Sequence, residues 1–333
     1  MPSDRTTSFS TTVATIPQRA RARPVVSLIT RGHRITRRHV QIALGLFWLL
    51  DGALQAQPFM FTRGFATQVI AGVGEGQPGF VSAPVHWAST VIAAHPVAWN
   101  VPFAAIQLLL GMGLLVPRTA RVALGASIAW ALGVWYLGEG LGGLASGHAS
   151  LITGAPGSAL IYALLAAAAW PRRDDSREAP APWLPFAWAV LWVGAAVFQA
   201  LPGQNTGTAV ASALTEGSAE GPAWLGRLDK SAGAGAAHQG LLLVTLMVAA
   251  EALIGVGALA RRTKTPAVAF GLALTLALWV LGQDLGALYT GQATDPNSGA
   301  VLAFMAIALL AGSRAVAGEQ TLDHKEVDKH QHP

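Results

Sequence analysis

The chain has 333 residues, 52% of them hydrophobic and only 12% charged. Water-soluble domains carry about 25% charged residues, which argues against an ordinary soluble enzyme, and disorder is excluded over most of the length. The net charge is +5, and the absence of cysteine removes disulfides, thiolate metal sites and thiol relays.

Residues 1–38 are rich in Ser, Thr and Arg and lack a long apolar run. They read as a basic, disordered cytoplasmic tail and not as a secretory signal. A bilayer core takes about 20 helical residues to cross. Runs of that kind lie at 40–58, 98–116 and 122–141, with a shorter one at 155–170. They make residues 39–171 a first four-helix membrane unit. Val81 to Ala94 reads as an amphipathic or re-entrant helix at the outer surface, ending at His95-Pro96, with a ninth span as the alternative. Residues 172–183 form a polar cytoplasmic linker. The runs at 184–202, 239–260, 266–288 and the short 298–313 make residues 184–314 a second unit, and 315–333 a charged tail. Both short runs follow Gly and Pro, so they are expected to begin inside a dipping loop. The expected fold is an all-α integral membrane protein with eight transmembrane helices. Nineteen Lys and Arg fall on one proposed side and three on the other. The positive-inside rule then places both termini in the cytoplasm and the loops 59–97 and 203–238 outside.

A shift of 144 positions aligns the halves without gaps over a long stretch. Trp48, Gln55 and Pro58 fall on Trp192, Gln199 and Pro202. Trp135, Gly138 and Gly142 fall on Trp279, Gly282 and Gly286. An even number of helices per copy gives two parallel repeats. The four-helix unit resembles the DoxX-like membrane proteins. The likeness lies in Leu44-Gly45-Leu46-Phe47-Trp48-Leu49-Leu50-Asp51-Gly52-Ala53-Leu54-Gln55, the long outer loop and the Gly-rich end of the third helix. That group includes the small subunit of thiosulfate:quinone oxidoreductase. The resemblance implies an accessory subunit beside the quinone pool, with Asp51 and Glu251 handling quinol protons.

Ionisable groups inside a bilayer are costly and mark function by default. Asp51, Glu139, Glu251 and Asp284 fall within or at the ends of the runs, which contain no Lys or Arg. Asp51 and Glu251 lie near mid-run. Gln107 is the repeat partner of Glu251, and Gln55 follows Asp51 by one turn on the same face. A carboxyl that is neutral when dry and ionised when wetted can carry a proton. The plainer reading is a protonated carboxyl bonded between helices. Gly138-Glu139-Gly140-Leu141-Gly142-Gly143 satisfies a dinucleotide pattern, but an apolar helix is ending there, so that reading is rejected. Gly138/Gly142 and Gly282/Gly286 instead suggest close helix packing. His95, His148 and His238 are candidates for a transition-metal site on the outer side. Their positions in loops and at helix ends disfavour haem, and interfacial histidines are the simpler reading.

The implied partners are the lipid bilayer and other membrane subunits, with no nucleic acid. Abundant Ala, Gly and Arg suggest a bacterial inner membrane. Three functions remain open: a quinone-linked accessory subunit, a proton-coupled transporter of a small solute, and a scaffold without catalysis.

Overall fold

The first helix of the described residues, α1 (Arg37–Gln55), begins earlier than its apolar run because Thr36 caps it. The Thr36 hydroxyl accepts from the His39 backbone N–H, and the Thr36 N–H donates to the His39 ring at 3.1 Å. Arg37 and Arg38 therefore belong to the helix and not to the tail. Arg38 donates to the Leu114 carbonyl at 2.8 Å and to the Leu115 carbonyl. Those carbonyls end a later helix and have no donor of their own. The computed structural model describes residues 35–171, 179–216 and 221–311, and these are all-helical. The expected tails at 1–34 and 315–333 and most of the linker 172–183 lie outside the described residues.

After α1, short turns at Pro58–Phe61 and Phe65–Ile70 lead to α2 (Gly79–Ala94). Met60, Phe65, Val81 and Val85 bury together in a small core of their own. There follow α3 (Pro96–Leu115), α4 (Ala120–Leu137) and the short α5 (Ser158–Ala168). The later part holds α6 (Leu184–Gln199), α7 (Gly207–Thr215), α8 (Ala223–Gly257), α9 (Lys264–Val280) and α10 (Asn297–Ala311). The stretch 203–238, expected as a loop, contains α7 and the first half of α8. Its run Ala232-Gly233-Ala234-Gly235-Ala236-Ala237 carries two glycines that disfavour helix. It packs closely on α7, however, where a Cβ on Gly233 would lie 2.8 Å from Thr215 and one on Gly207 2.5 Å from Ala236 O. Only Gly240 leaves helical geometry inside α8, at φ 51° and ψ −128°. The 144-residue shift sets Gly240 on Pro96, where α2 and α3 are separate helices.

By length and composition, α3, α4 and α8 are long and apolar enough to cross a membrane. The 11 residues of α5 reach only about 16 Å at 1.5 Å per residue. Before it, residues 149–157 run non-helical and mostly buried. Backbone of this kind is tolerated at depth only inside protein. Apolar side chains face outward as well as inward. Val122, Leu241 and Leu253 are 78%, 73% and 70% exposed, whereas Gln41, Asn100 and Asp229 are buried. Apolar outer faces of this kind are consistent with contact with a lipid bilayer.

Close packing comes from glycines other than those expected. A Cβ on Gly111 would lie 2.6 Å from Leu49 Cγ and 2.8 Å from the Gly45 carbonyl, so α1 and α3 touch through Gly45 and Gly111. Gly138 merely caps α4, and Gly142, Gly282 and Gly286 lie beyond the helix ends at φ 61°, 76° and 71°. They serve turns and not a helix–helix seam. A Cβ on Gly142 would lie 2.0 Å from the Pro156 carbonyl oxygen, and one on Gly286 2.5 Å from that of Pro296. Hydrogen bonds also match at corresponding positions of the two halves. Trp135 Nε1 donates to Pro156 O at 2.7 Å, and Trp279 Nε1 to Pro296 O at 2.7 Å. Thr119 bonds Gly113 O at 2.8 Å, and Thr263 bonds Gly257 O at 2.8 Å.

A single core runs through both halves. Phe47 of α1 lies 5.8 Å from the Tyr162 ring of α5 and 6.2 Å from the Phe304 ring of α10. The halves also exchange loops. Gln283 Nε2 donates to Leu151 O at 2.8 Å, and a Cβ on Gly154 would strike Asn297. In the other direction, Gln57 Nε2 donates to Ala293 O at 3.5 Å.

Candidate functional site

Helical spacing assembles a site in the first half. Trp48, Asp51 and Gln55 lie on one face of α1, and Trp99, Phe103 and Gln107 on one face of α3. With Trp130 of α4, Glu139 just beyond it and Tyr162 of α5, they line a cavity of about 340 Å³. Trp87 and Trp99 also line it, and they are 66% and 41% exposed. The cavity therefore reaches the surface between α2 and α3. The Trp48–Tyr162 ring centroids are 4.9 Å apart, Phe103–Trp130 5.7 Å and Trp99–Phe103 6.2 Å.

Asp51 sits one turn before the end of α1, not at its middle, and is buried. Gln55 is not its partner. Gln55 Nε2 donates to Asn100 Oδ1, and Asn100 Nδ2 returns a bond to Gln55 O at 2.9 Å, tying α1 to α3. Tyr162 lies beside Asp51. Asp51 Oδ1, Gln107 Oε1 and Trp130 Nε1 are buried without a hydrogen-bond partner. Trp48 is fixed by donating from Nε1 to Ser127 Oγ at 2.7 Å.

Glu139 caps α5 from outside. Its Oε1 accepts from Ser158 Oγ at 2.7 Å and from the Ala159 N–H at 3.1 Å. A carboxylate there meets the positive end of the helix dipole. Its Oε2 has no hydrogen-bond partner. A second, more polar cavity of about 720 Å³ adjoins, lined by His148, Gln283, Asp284 and Asn297 among others. Glu139, Ser158, Thr294 and Asp295 line both cavities. Asp295 comes from the loop before α10, so the second half contributes a carboxyl to the first half's cavity. Asp51, Glu139 and Asp295 are near enough to feel one another's charge.

The structure thus brings Asp51, Gln55, Gln107 and Glu139 together. Asp284 lies on the second cavity. Glu251 is buried in α8 and lines neither. His95, His148 and His238 are exposed on separate segments, and no three His, Asp or Glu among the described residues group into a metal site. Sequence reasoning missed Asp295, Tyr162 and Asn100. Tyr162 carried a signal: with Ser158 it is the only polar side chain in Ser-Ala-Leu-Ile-Tyr-Ala-Leu-Leu-Ala-Ala-Ala. Asp295 carried none, since Thr-Asp-Pro-Asn is an ordinary turn string. Comparison with protein families, curated proteins and solved structures finds no match.

Proposed function

We propose that the chain is a multi-pass inner-membrane carrier that couples protons to a small solute held in the aromatic cavity. In this reading it has eight membrane helices in two parallel four-helix units, with both termini and the 172–183 linker cytoplasmic. The matched bonds at Trp135 and Trp279, and at Thr119 and Thr263, support the duplication. The left-handed Leu141-Gly142 and Leu285-Gly286 turns support it too. The lopsided distribution of Lys and Arg supports the orientation.

One observation carries the functional reading. A cavity open to the side at Trp87 and Trp99 meets a wider polar cavity at Glu139 and Asp295. A solute reaching the aromatic chamber thereby sits beside carboxyls that can exchange protons with water. Asp51 is the inner proton site and Glu139 the gate between chambers. Glu251 and Asp284 are assigned structural roles.

In a deletion strain, Asp51→Asn and Glu139→Gln should fail to restore the wild-type phenotype at normal membrane levels, whereas Glu251→Gln should restore it. Full complementation by both cavity variants would sink the reading. The second reading, a DoxX-like subunit beside the quinone pool, is favoured by two buried donors in the cavity wall, Trp130 Nε1 and the Tyr162 hydroxyl. Those are the groups a quinone carbonyl needs. Saturable binding of decylubiquinone that is lost in Tyr162→Phe would support it over the carrier.

A further inference from the structure

We propose that the aromatic cavity binds a small lipophilic organic cation, of the quaternary ammonium class, between the carboxyls of Asp51, Glu139 and Asp295. The proposal rests on the carrier reading and names its solute. The charge sign comes first. Three carboxyls line the cavity, and no Lys, Arg or His does among the described residues. An anion would find no cationic partner there. A bare metal ion needs a tight cage of oxygen or nitrogen ligands, and the described residues form none. An organic cation is weakly hydrated, so it leaves water at low cost and is attracted to ring faces. The walls supply such faces in Trp48, Trp99, Phe103, Trp130 and Tyr162. Asp51 is 2% exposed with Oδ1 unpartnered, and Glu139 Oε2 is also buried and unpartnered. A buried acceptor left without a partner is costly; a quaternary cation has no N–H to donate, but its positive charge beside the two carboxyls offsets that cost.

The second half completes this site and does not duplicate it. Asp295 reaches the cavity from the loop before α10. In the 144-residue frame Asp51 falls on Ala195 and Glu139 on Gln283. Gln283 is already committed, donating to Leu151 O at 2.8 Å and accepting from the Gly299 N–H at 2.9 Å. From the Trp–Pro bonds onward the frame shortens to 140, and Tyr162 then falls on Leu302. The second half therefore has neither the acids nor the phenol, and each chain holds one cation site.

The test uses the full chain in lipid nanodiscs, read by tryptophan fluorescence, with phenyltrimethylammonium and its neutral isostere tert-butylbenzene as probes. The cation should saturate one site per chain and bind about tenfold or more tighter than the isostere. Asp295→Asn and Glu139→Gln should each weaken the cation about fivefold and leave the isostere unchanged. Asparagine at 295 keeps the acceptor that Asn297 N–H uses at 2.8 Å, so the turn survives the exchange. Equal binding of both probes, or cation binding untouched by either variant, overturns the cation proposal and leaves the cavity reading standing. Saturable binding of neither probe overturns both.

Discussion

Gly142→Ala is expected to lower stability by about 3–5 kcal/mol, near the top of what one substitution costs. Two effects add. The residue has φ 61°, where a side chain is strained, and its Cβ would lie 2.0 Å from the Pro156 carbonyl oxygen. That oxygen cannot retreat, because it accepts the Trp135 indole N–H at 2.7 Å. Gly147→Ala is the control. It has φ 79°, yet nothing lies within 4 Å of its Cβ, so only the backbone cost of about 1–2 kcal/mol applies. Thermal unfolding of both variants in one detergent decides the matter. Equal losses would mean that the contact with Pro156 contributes nothing. Gly286→Ala should behave like Gly142→Ala, since its Cβ would lie 2.5 Å from Pro296 O at φ 71°.

Trp48→Ala is expected to cost about 3–5 kcal/mol, as for other buried aromatic side chains cut to alanine. Trp48 is 2% exposed, stacks edge-on against Tyr162 and donates to Ser127. It also walls the cavity, so ligand binding should fall with it. Phenylalanine separates these roles. Trp48→Phe keeps a ring and loses the bond to Ser127, at about 1 kcal/mol plus the unmet hydroxyl. Trp192, its repeat partner, has no acceptor for Nε1 and lies 5.4 Å from the Trp188 ring. Trp192→Phe removes an unsatisfied donor and should be close to neutral. If the two phenylalanine variants melt alike, the Ser127 bond does not stabilise the fold.

The helices were legible because apolar runs of about 20 residues have few other uses in a chain so poor in charge. The starts of α3, α4 and α9 fall within two residues of the apolar runs read from the sequence. Errors fell where local chemistry competes with hydrophobicity. Thr36 and His39 drew two arginines into α1, and close packing on α7 carried α8 far upstream of its apolar segment. The glycine pairs at four-residue spacing suggested a helix seam, but a spacing does not reveal φ. Their left-handed backbone shows only in three dimensions. At the site, Asp51, Gln55 and Gln107 were legible as polar residues stranded in apolar helices. Glu139 stood out for the same reason, although its partner at α5 did not. Asp295 was not legible at all. Its role depends on a loop crossing between halves, which no local pattern encodes.

That crossing has a consequence for how the molecule is divided. Residues 149–157 lie against Gln283 and Asn297, while Ala293 to Asp295 lie against Gln57 and the first cavity. Each half therefore fills a gap in the other, as two subunits of an obligate dimer would. A chain cut within 172–183 should yield two fragments that accumulate only when made together, each alone leaving buried backbone open to lipid. In the proposed duplication the copies need not stay identical. One keeps the acids that line the cavity, while the other lends a single aspartate across the seam.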